Sequence, residues 1–214
     1  MITEQKTAQF FDQYASGFSA IYGNDNTIVN RVVNTLFRQS MKQRYLLTLE
    51  GCSPIVGKSV LDIGCGPGHY SVELARRGAS RVLGLDFADG MLELARKRAS
   101  EGGVSNACTF ERADFLTADL SEKFDYVIVM GFMDYIKEPR SMIEKALSVT
   151  TSKAFFSFPL DGGLLAKQRS IRYRYKCDLF LYSADRVRSL FDGLGVRIET
   201  KNLKRDLFVT AIKS

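Results

Sequence analysis

From residue 58 onward, short apolar runs alternate with stretches whose apolar residues recur every three or four positions. KSVLDI (58–63), RVLGLD (81–86), CTFERA (108–113), FDYVIVM (124–130) and KAFFSF (153–158) predict five strands. Between them, HYSVELARRG, closed by Gly78, DGMLELARKRAS and SMIEKALSV predict helices. Strands alternating with helices of this length indicate βαβ units and a parallel sheet. YSADRVRSLFDGLG then predicts a helix stopped by glycine, and VRIETKN and DLFVTAI stand close enough to pair as an antiparallel hairpin. The expected architecture is a mostly parallel sheet ending in an antiparallel strand. Upstream, residues 3–50 read as helical with loop breaks: Phe10, Phe11, Tyr14 and Phe18 recur at helical spacing, as do Val29, Val32, Val33, Leu36 and Phe37.

The 214 residues suit one globular domain, or one with a modest appendage. At 45% hydrophobic and 25% charged residues, a disordered, collagen-like or disulfide-scaffold chain is excluded. No apolar run approaches the ~20 residues of a membrane span, and the start has neither a basic n-region nor an apolar h-region, so a cytoplasmic protein is expected. Cys52, Cys65, Cys108 and Cys177 form no C-x-x-C pair, and His69 is the only histidine, so reduced thiols and no metal site are expected. The net charge is +6, and the excess lies entirely after residue 159, where 12 Lys/Arg face 6 Asp/Glu.

The densest chemical signal is Val60-Leu61-Asp62-Ile63-Gly64-Cys65-Gly66-Pro67-Gly68, a strand running through Gly-x-Gly-x-Gly into a helix. Glycines let the backbone turn sharply and let a ligand approach with no Cβ in the way. A dinucleotide fingerprint is G-x-G-x-x-G, whereas here His69 follows Gly68 and the strand adds Asp62 before the first glycine. A carboxylate facing the pocket would repel a pyrophosphate but suits a ligand bearing an ammonium group and a sulfonium. S-adenosylmethionine is such a ligand.

VLDIGCGPG resembles the first motif of the class I S-adenosylmethionine-dependent methyltransferases, and the elements over residues 58–160 fall where that family's motifs do. The resemblance implies a Rossmann-like, doubly wound, mostly parallel seven-stranded α/β sheet with an antiparallel C-terminal strand. It also implies an N-terminal helical lid over residues 1–50, a methyltransferase domain over 51–214, and a basic recognition insert at 160–182. S-adenosylmethionine would be the cofactor and S-adenosylhomocysteine (SAH) the product. By the same resemblance Gly64, Cys65, Gly66 and Gly68 lie against the methionine moiety, with Asp62 below, and Asp86 accepts the ribose hydroxyls. Phe87 and Met91 pack on the adenine, Asp114 takes its amino group with Phe115 beside it, and Tyr14 of the lid approaches the cofactor carboxylate. Against these stand plainer readings: Asp86 or Asp89 as a helix N-cap, and the aromatics and Met91 as ordinary core.

In open α/β sheets the ligand sits outside the carboxyl ends of the strands, so Met130-Gly131-Phe132-Met133-Asp134-Tyr135-Ile136 should border the cofactor sulfur and the acceptor. It lacks the Asn/Asp-Pro-Pro-Tyr of amine-modifying nucleobase enzymes, and it has Asp134 and Tyr135 where many small-molecule members carry histidines. Asp134 is then a candidate base or holder of a substrate hydroxyl, or else a cap ahead of Ile136; Tyr135 either touches ligand or packs. His69, at a helix start that favours neutral imidazole, is a second candidate base or a cofactor-side residue. The aromatics Phe10, Phe11, Tyr14, Phe18 and Tyr22 can cover an apolar acceptor.

Lys167-Gln168-Arg169-Ser170-Ile171-Arg172-Tyr173-Arg174-Tyr175-Lys176 fits nucleic acid, an anionic organic substrate, or a solvated face. The modest excess charge favours a small, partly apolar, anionic acceptor over RNA. The layout is loosely similar to magnesium-protoporphyrin and ubiquinone-type methyltransferases. Methyl transfer to oxygen or carbon of such a metabolite is the expected function. An RNA methyltransferase, a non-catalytic cofactor-binding regulator and a nicotinamide oxidoreductase are the rivals.

Overall fold

The computed structural model describes residues 28–162 and 179–213, with side chains from residue 39 onward. The chain runs α1 (Ile28–Gly51), β1 (Ser59–Ile63), α2 (His69–Arg76), β2 (Arg81–Asp86), α3 (Asp89–Glu101), β3 (Cys108–Arg112) and β4 (Phe124–Val129). A single 3-10 turn (Met133–Tyr135) leads to α4 (Pro139–Ser148), β5 (Thr150–Pro159), α5 (Ala184–Ser189), β6 (Val196–Asn202) and β7 (Asp206–Lys213). The Tyr14 aromatic segment, Cys177 and the Lys167–Lys176 stretch lie outside the described residues.

All seven strands join one sheet in the order β3-β2-β1-β4-β5-β7-β6. β1 to β5 are mutually parallel, and β7 runs antiparallel to both β5 and β6. The expected mostly parallel, seven-stranded architecture is therefore the one observed. The parallel strands are apolar on both faces because helices cover both. Leu61, Ile63, Leu83, Leu85, Val127 and Val129 point to one face, where they meet Met142, Ile143 and Ala146 of α4. Val60, Val82, Tyr126 and Ile128 point to the other, where Leu74, Leu92 and Ala95 of α2 and α3 cover them. The C-terminal half of α1 packs on this second face: Leu49 and Cys52 are buried, and Gly51 lies against the Phe155 ring, where a Cβ would stand 2.4 Å from a ring carbon.

The chain order is what creates a crevice. It moves outward from β1 to β3, then returns to β4 on the other side of β1, so the loops leaving β1 and β4 diverge from adjacent strand ends. With Ile63 opposite Val129, the glycine loop and the Met130–Tyr135 segment start side by side.

The element after residue 182 differs from its sequence pattern. The apolar spacing runs to residue 194, but α5 ends at Ser189. Its start is capped by Ser183, whose side chain accepts the Arg186 amide. Arg140 of α4 then takes the carbonyls of Leu190 and Asp192, both at 2.9 Å, and Phe191 turns into the core against Phe156 and Phe158. Tertiary hydrogen bonds replace what another helical turn would have supplied.

Tyr182 ties this region to the crevice. It is 1% exposed, and its hydroxyl donates toward the carbonyls of Ile136 at 2.7 Å and Met133 at 3.2 Å. Burial pushes the phenol up to about 12. Tyr182→Phe should destabilise the fold by about 1 to 2 kcal/mol, because buried carbonyls lose their donor while the ring still packs. Urea titration checks this; an unchanged midpoint would remove the bond's role in holding the turn.

Candidate functional site

The glycine loop is a tight turn fixed by backbone bonds. The amides of Gly64 and Cys65 both donate to the Leu85 carbonyl, at 2.8 and 3.0 Å, and Gly68 donates to Cys65 at 3.0 Å. Gly64, Gly66 and Gly68 all have positive φ, and each leaves room for something different. A Cβ on Gly64 would strike the Phe132 ring at 2.5 Å, and one on Gly68 would press on Ala95 at 3.0 Å. One on Gly66 would meet nothing within 4 Å, so the middle glycine faces open space. Arg98 of α3 holds the outer limb through the Pro67 carbonyl at 2.9 Å.

Two carboxylates flank the loop. Asp62, 1% exposed, accepts the Ser71 hydroxyl at 2.6 Å, and burial pushes its carboxyl up to about 7 against that bond, with the Asp86 charge adding to the rise. Asp86, half-buried at the end of β2, accepts the Gly66 amide at 2.8 Å through Oδ2 and the Ala88 amide at 3.0 Å through Oδ1. Neither residue weighed as a cap for α3 has that role. The N-cap is Ala88, without a side-chain cap bond, and Asp89 lies inside the first turn, paired with Arg112 at 2.8 Å.

The other residues singled out from sequence are placed in different ways. The Cys65 thiol turns into the core beneath the loop, 3.6 Å from the Gly66 carbonyl, and burial raises its pKa, helped by Asp62 and Asp86. Met91 and Phe115 are buried, the latter under the Lys145 ammonium at 5.3 Å. Phe87 is half-buried beside Phe132, ring centroids 6.4 Å apart. Asp114 shapes its own turn, accepting the Leu116 amide at 2.9 Å and the Thr117 hydroxyl at 3.2 Å. His69 is exposed by area, yet enough protein surrounds its ring to lower its pKa by desolvation, with repulsion from Arg98 adding to the effect.

On the β4 side, Met130 is buried and Tyr135 half-buried. Asp134 is buried inside the 3-10 turn, while Ile136 beyond it is extended, so Asp134 is not a helix cap. Its carbonyl accepts the Phe180 amide at 2.8 Å, which ties the turn to the chain after residue 178.

Arg44 of α1 belongs to the site and is not singled out by the sequence. Only 11% of its side chain is exposed. One terminal nitrogen donates to Ser157 Oγ at 3.3 Å and stands 4.0 Å from Asp206, and Ser157 also accepts the Gly131 amide at 2.9 Å. Its Nε is buried with no hydrogen-bond partner among the described residues, and a Cβ on Gly131 would stand 3.3 Å from the guanidinium. Burial pulls its pKa down, but Tyr70 and Asp206 outweigh that and the net direction is up. The available signal was spacing: Ser40, Arg44 and Thr48 form an i, i+4 row, and Ser40 and Thr48 are buried.

The arrangement is a crevice with an acid on either side of a glycine turn, open space at its middle and a buried cation where α1 crosses the end of β4. Such a set fits a ligand that carries an ammonium, a carboxylate and vicinal hydroxyls. Residues 56–158 match a family model described as a methyltransferase domain. This stretch, just under half of the chain, carries the methyltransferase domain that the family model describes. Over 111 residues this domain is 41% identical to the ubiquinone biosynthesis O-methyltransferase of Actinobacillus pleuropneumoniae serotype 5b (strain L20), covering 48% of this chain and 46% of that protein. A second relative of the same name, from Pseudomonas fluorescens (strain SBW25), is 33% identical over 105 residues, again covering 45% of its length. The matched stretch thus spans just under half of these relatives. The whole fold superimposes on magnesium protoporphyrin IX methyltransferase from Synechocystis PCC 6803, crystallised with bound SAH. That superposition has a TM-score of 0.74 at 22% identity, covering 97% of this chain and 98% of that one. Among the described residues, no helix is long and apolar enough to cross a membrane.

The buried acid of the methyltransferase domain carries a pH signature. Asp62 has a folded-state pKa of about 7, above its ordinary 3.8, so between those values the folded state binds more protons than the unfolded state. Stability contributed by this group is complete below about pH 4 and is lost as the pH rises through about 7. Asp62→Asn should therefore gain stability relative to the native protein as pH climbs across that window. Urea midpoints at several pH values read it; parallel curves would mean that Asp62 stays ionised.

Proposed function

We propose that this protein binds S-adenosylmethionine in the β1/β4 crevice and moves its methyl group to an oxygen or carbon of a small, partly apolar, anionic metabolite. The observation that carries the reading is the glycine turn open at Gly66 between Asp62 and Asp86. In this reading Gly64, Cys65, Gly66 and Gly68 lie along the methionine moiety, Cys65 through its backbone because its thiol is turned inward. Asp62 faces the ammonium group, and the Arg44 Nε, which has no partner among the described residues, faces the carboxylate. Asp86 takes the ribose hydroxyls through lone pairs that its two amide bonds leave over. Phe87 and Met91 flank the adenine, with Asp114 and Phe115 at its edge, and Met130 closes the β4 side. Tyr14 is assigned to the cofactor carboxylate from the lid.

The bound cofactor supplies an electrophilic methyl on a positively charged sulfur, and the protein's task is to hold an acceptor in line with it. Asp134 is the favoured base or hydroxyl-holding group, since its burial in the turn after β4 keeps it at the acceptor side, with Tyr135 next to it. For a carboxylate acceptor neither is needed as a base. His69, whose pKa is lowered by burial with repulsion from Arg98 of α3 adding to it, is assigned to the cofactor side. The names of the ubiquinone biosynthesis relatives favour oxygen as the acceptor atom, and the 12 to 6 excess of basic residues after residue 159 favours an anion over a neutral substrate. A cytoplasmic, small-molecule role agrees with both.

A second reading is a cofactor-binding protein that transfers nothing, favoured by the burial of Met133 and Asp134 and by the Phe132 ring lying against Gly64. Incubation with methyl-labelled S-adenosylmethionine and a cell extract separates the readings: label in an anionic small molecule supports transfer, label in RNA points to a nucleic-acid acceptor, and no label supports the second reading. Asp86→Ala should weaken S-adenosylmethionine by about 1.5 to 3 kcal/mol, roughly 10- to 150-fold, because ribose hydroxyls lose a charged acceptor. Titration calorimetry reads this, and unchanged affinity would remove the ribose assignment.

A further inference from the structure

Phe132 has no role in the cofactor placement, yet its ring stands between two residues assigned to the cofactor, Gly64 and Phe87. It is the second residue after buried Met130 at the end of β4, and its ring lies over Gly64, where a Cβ would come within 2.5 Å of a ring carbon. On its other side is Phe87, at 6.4 Å between centroids with the rings tilted by 52°. The residue is half-buried, so part of it remains accessible.

The groups assigned to the two ends of the cofactor abut, since Asp86 accepts the Gly66 amide at 2.8 Å. The atom joining those ends is the sulfur, which must therefore pass close to the first turn of the loop, between Gly64 on the methionine side and Phe87 on the adenine side. Phe132 lies against both residues. An aromatic face attracts a cation within about 6 Å of its centroid, by about 0.5 to 2 kcal/mol depending on desolvation. Buried Met130 and Met133 flank Phe132 in sequence and favour a poorly hydrated setting.

Building on the cofactor placement above, we propose that Phe132 is a specificity-determining residue whose ring faces the sulfonium and makes the site prefer S-adenosylmethionine over SAH. The two ligands differ at this atom by a methyl group and a positive charge. A contact made to the charge is weakened as the charge disperses during transfer and is absent from the neutral thioether. The ring thus raises affinity for the cofactor without holding the product, and its removal acts on KM more than on kcat.

The test is titration calorimetry on the full chain with S-adenosylmethionine and with SAH. Phe132→Leu should weaken S-adenosylmethionine by about 2- to 30-fold, the range that the ring–cation energy gives at 1.4 kcal/mol per decade, and change SAH by less than about 2-fold. Replacing Phe132 by mono-, di- and trifluorophenylalanine keeps the ring in place while draining its face of electron density. Across that series S-adenosylmethionine affinity should fall stepwise and SAH affinity stay level, and this series carries the test even where Phe132→Leu fails to fold. Equal losses for both ligands, or no loss for either, would overturn the proposal and leave Phe132 a packing residue. A native protein that binds neither ligand would overturn the cofactor placement itself, and the proposal with it.

Discussion

The site depends on one carboxylate that bridges two turns. Asp86 ends β2 and accepts amide hydrogens from Gly66, across the sheet in the glycine loop, and from Ala88, at the start of α3. Charge-assisted bonds to backbone amides are the stronger kind, and here they fix the loop's middle glycine relative to the next strand. The crevice is held open at the point where the loop has no side chain. The strand order makes this geometry available, because β2 and β4 flank β1 and their C-terminal ends present residues to the same turn.

The opposite wall is built differently. There a long-range polar cluster joins α1 to the ends of β4, β5 and β7: Arg44, Ser157, Asp206 and Ser40, with the Gly131 amide bonded to Ser157. A guanidinium this enclosed is costly unless its donors are met, and its Nε is not met among the described residues. Asp86 on one side and the Arg44 guanidinium, shared with Asp206, on the other put a carboxylate and a cation on the crevice's two walls. That polarity suits a zwitterionic amino-acid moiety better than a diphosphate, whose charge has one sign.

The core explains why the two walls hold their positions. Alternate residues of β1, β2 and β4 feed separate clusters on the two faces of the sheet, so a slip of one residue in any of these strands would exchange its faces, and in β1 it would place Asp62 among the residues under α4. In the observed register Asp62 meets Ser71 of α2 instead, the one hydroxyl placed to receive it. Tyr182 and Phe180 likewise fasten the turn that carries Asp134, each through backbone carbonyls of residues 133–136.

Much of this was legible in the chain itself. The short apolar runs separated by helical stretches determined a parallel sheet, and the Gly-x-Gly-x-Gly turn after Asp62 determined where a ligand is received, because both follow from local spacing and from the backbone freedom of glycine. The early end of α5, the place of Arg44 and the contact of Phe132 with Gly64 were decided only by tertiary structure. Each depends on groups 50 to 113 residues apart, or on a β1–β4 pairing that adjoins residues about 66 positions distant, and no periodicity in the sequence encodes such an approach. The same holds for the raised proton affinity of Asp62: the residue is written in the sequence, but its desolvation exists only once α2 has closed over the sheet.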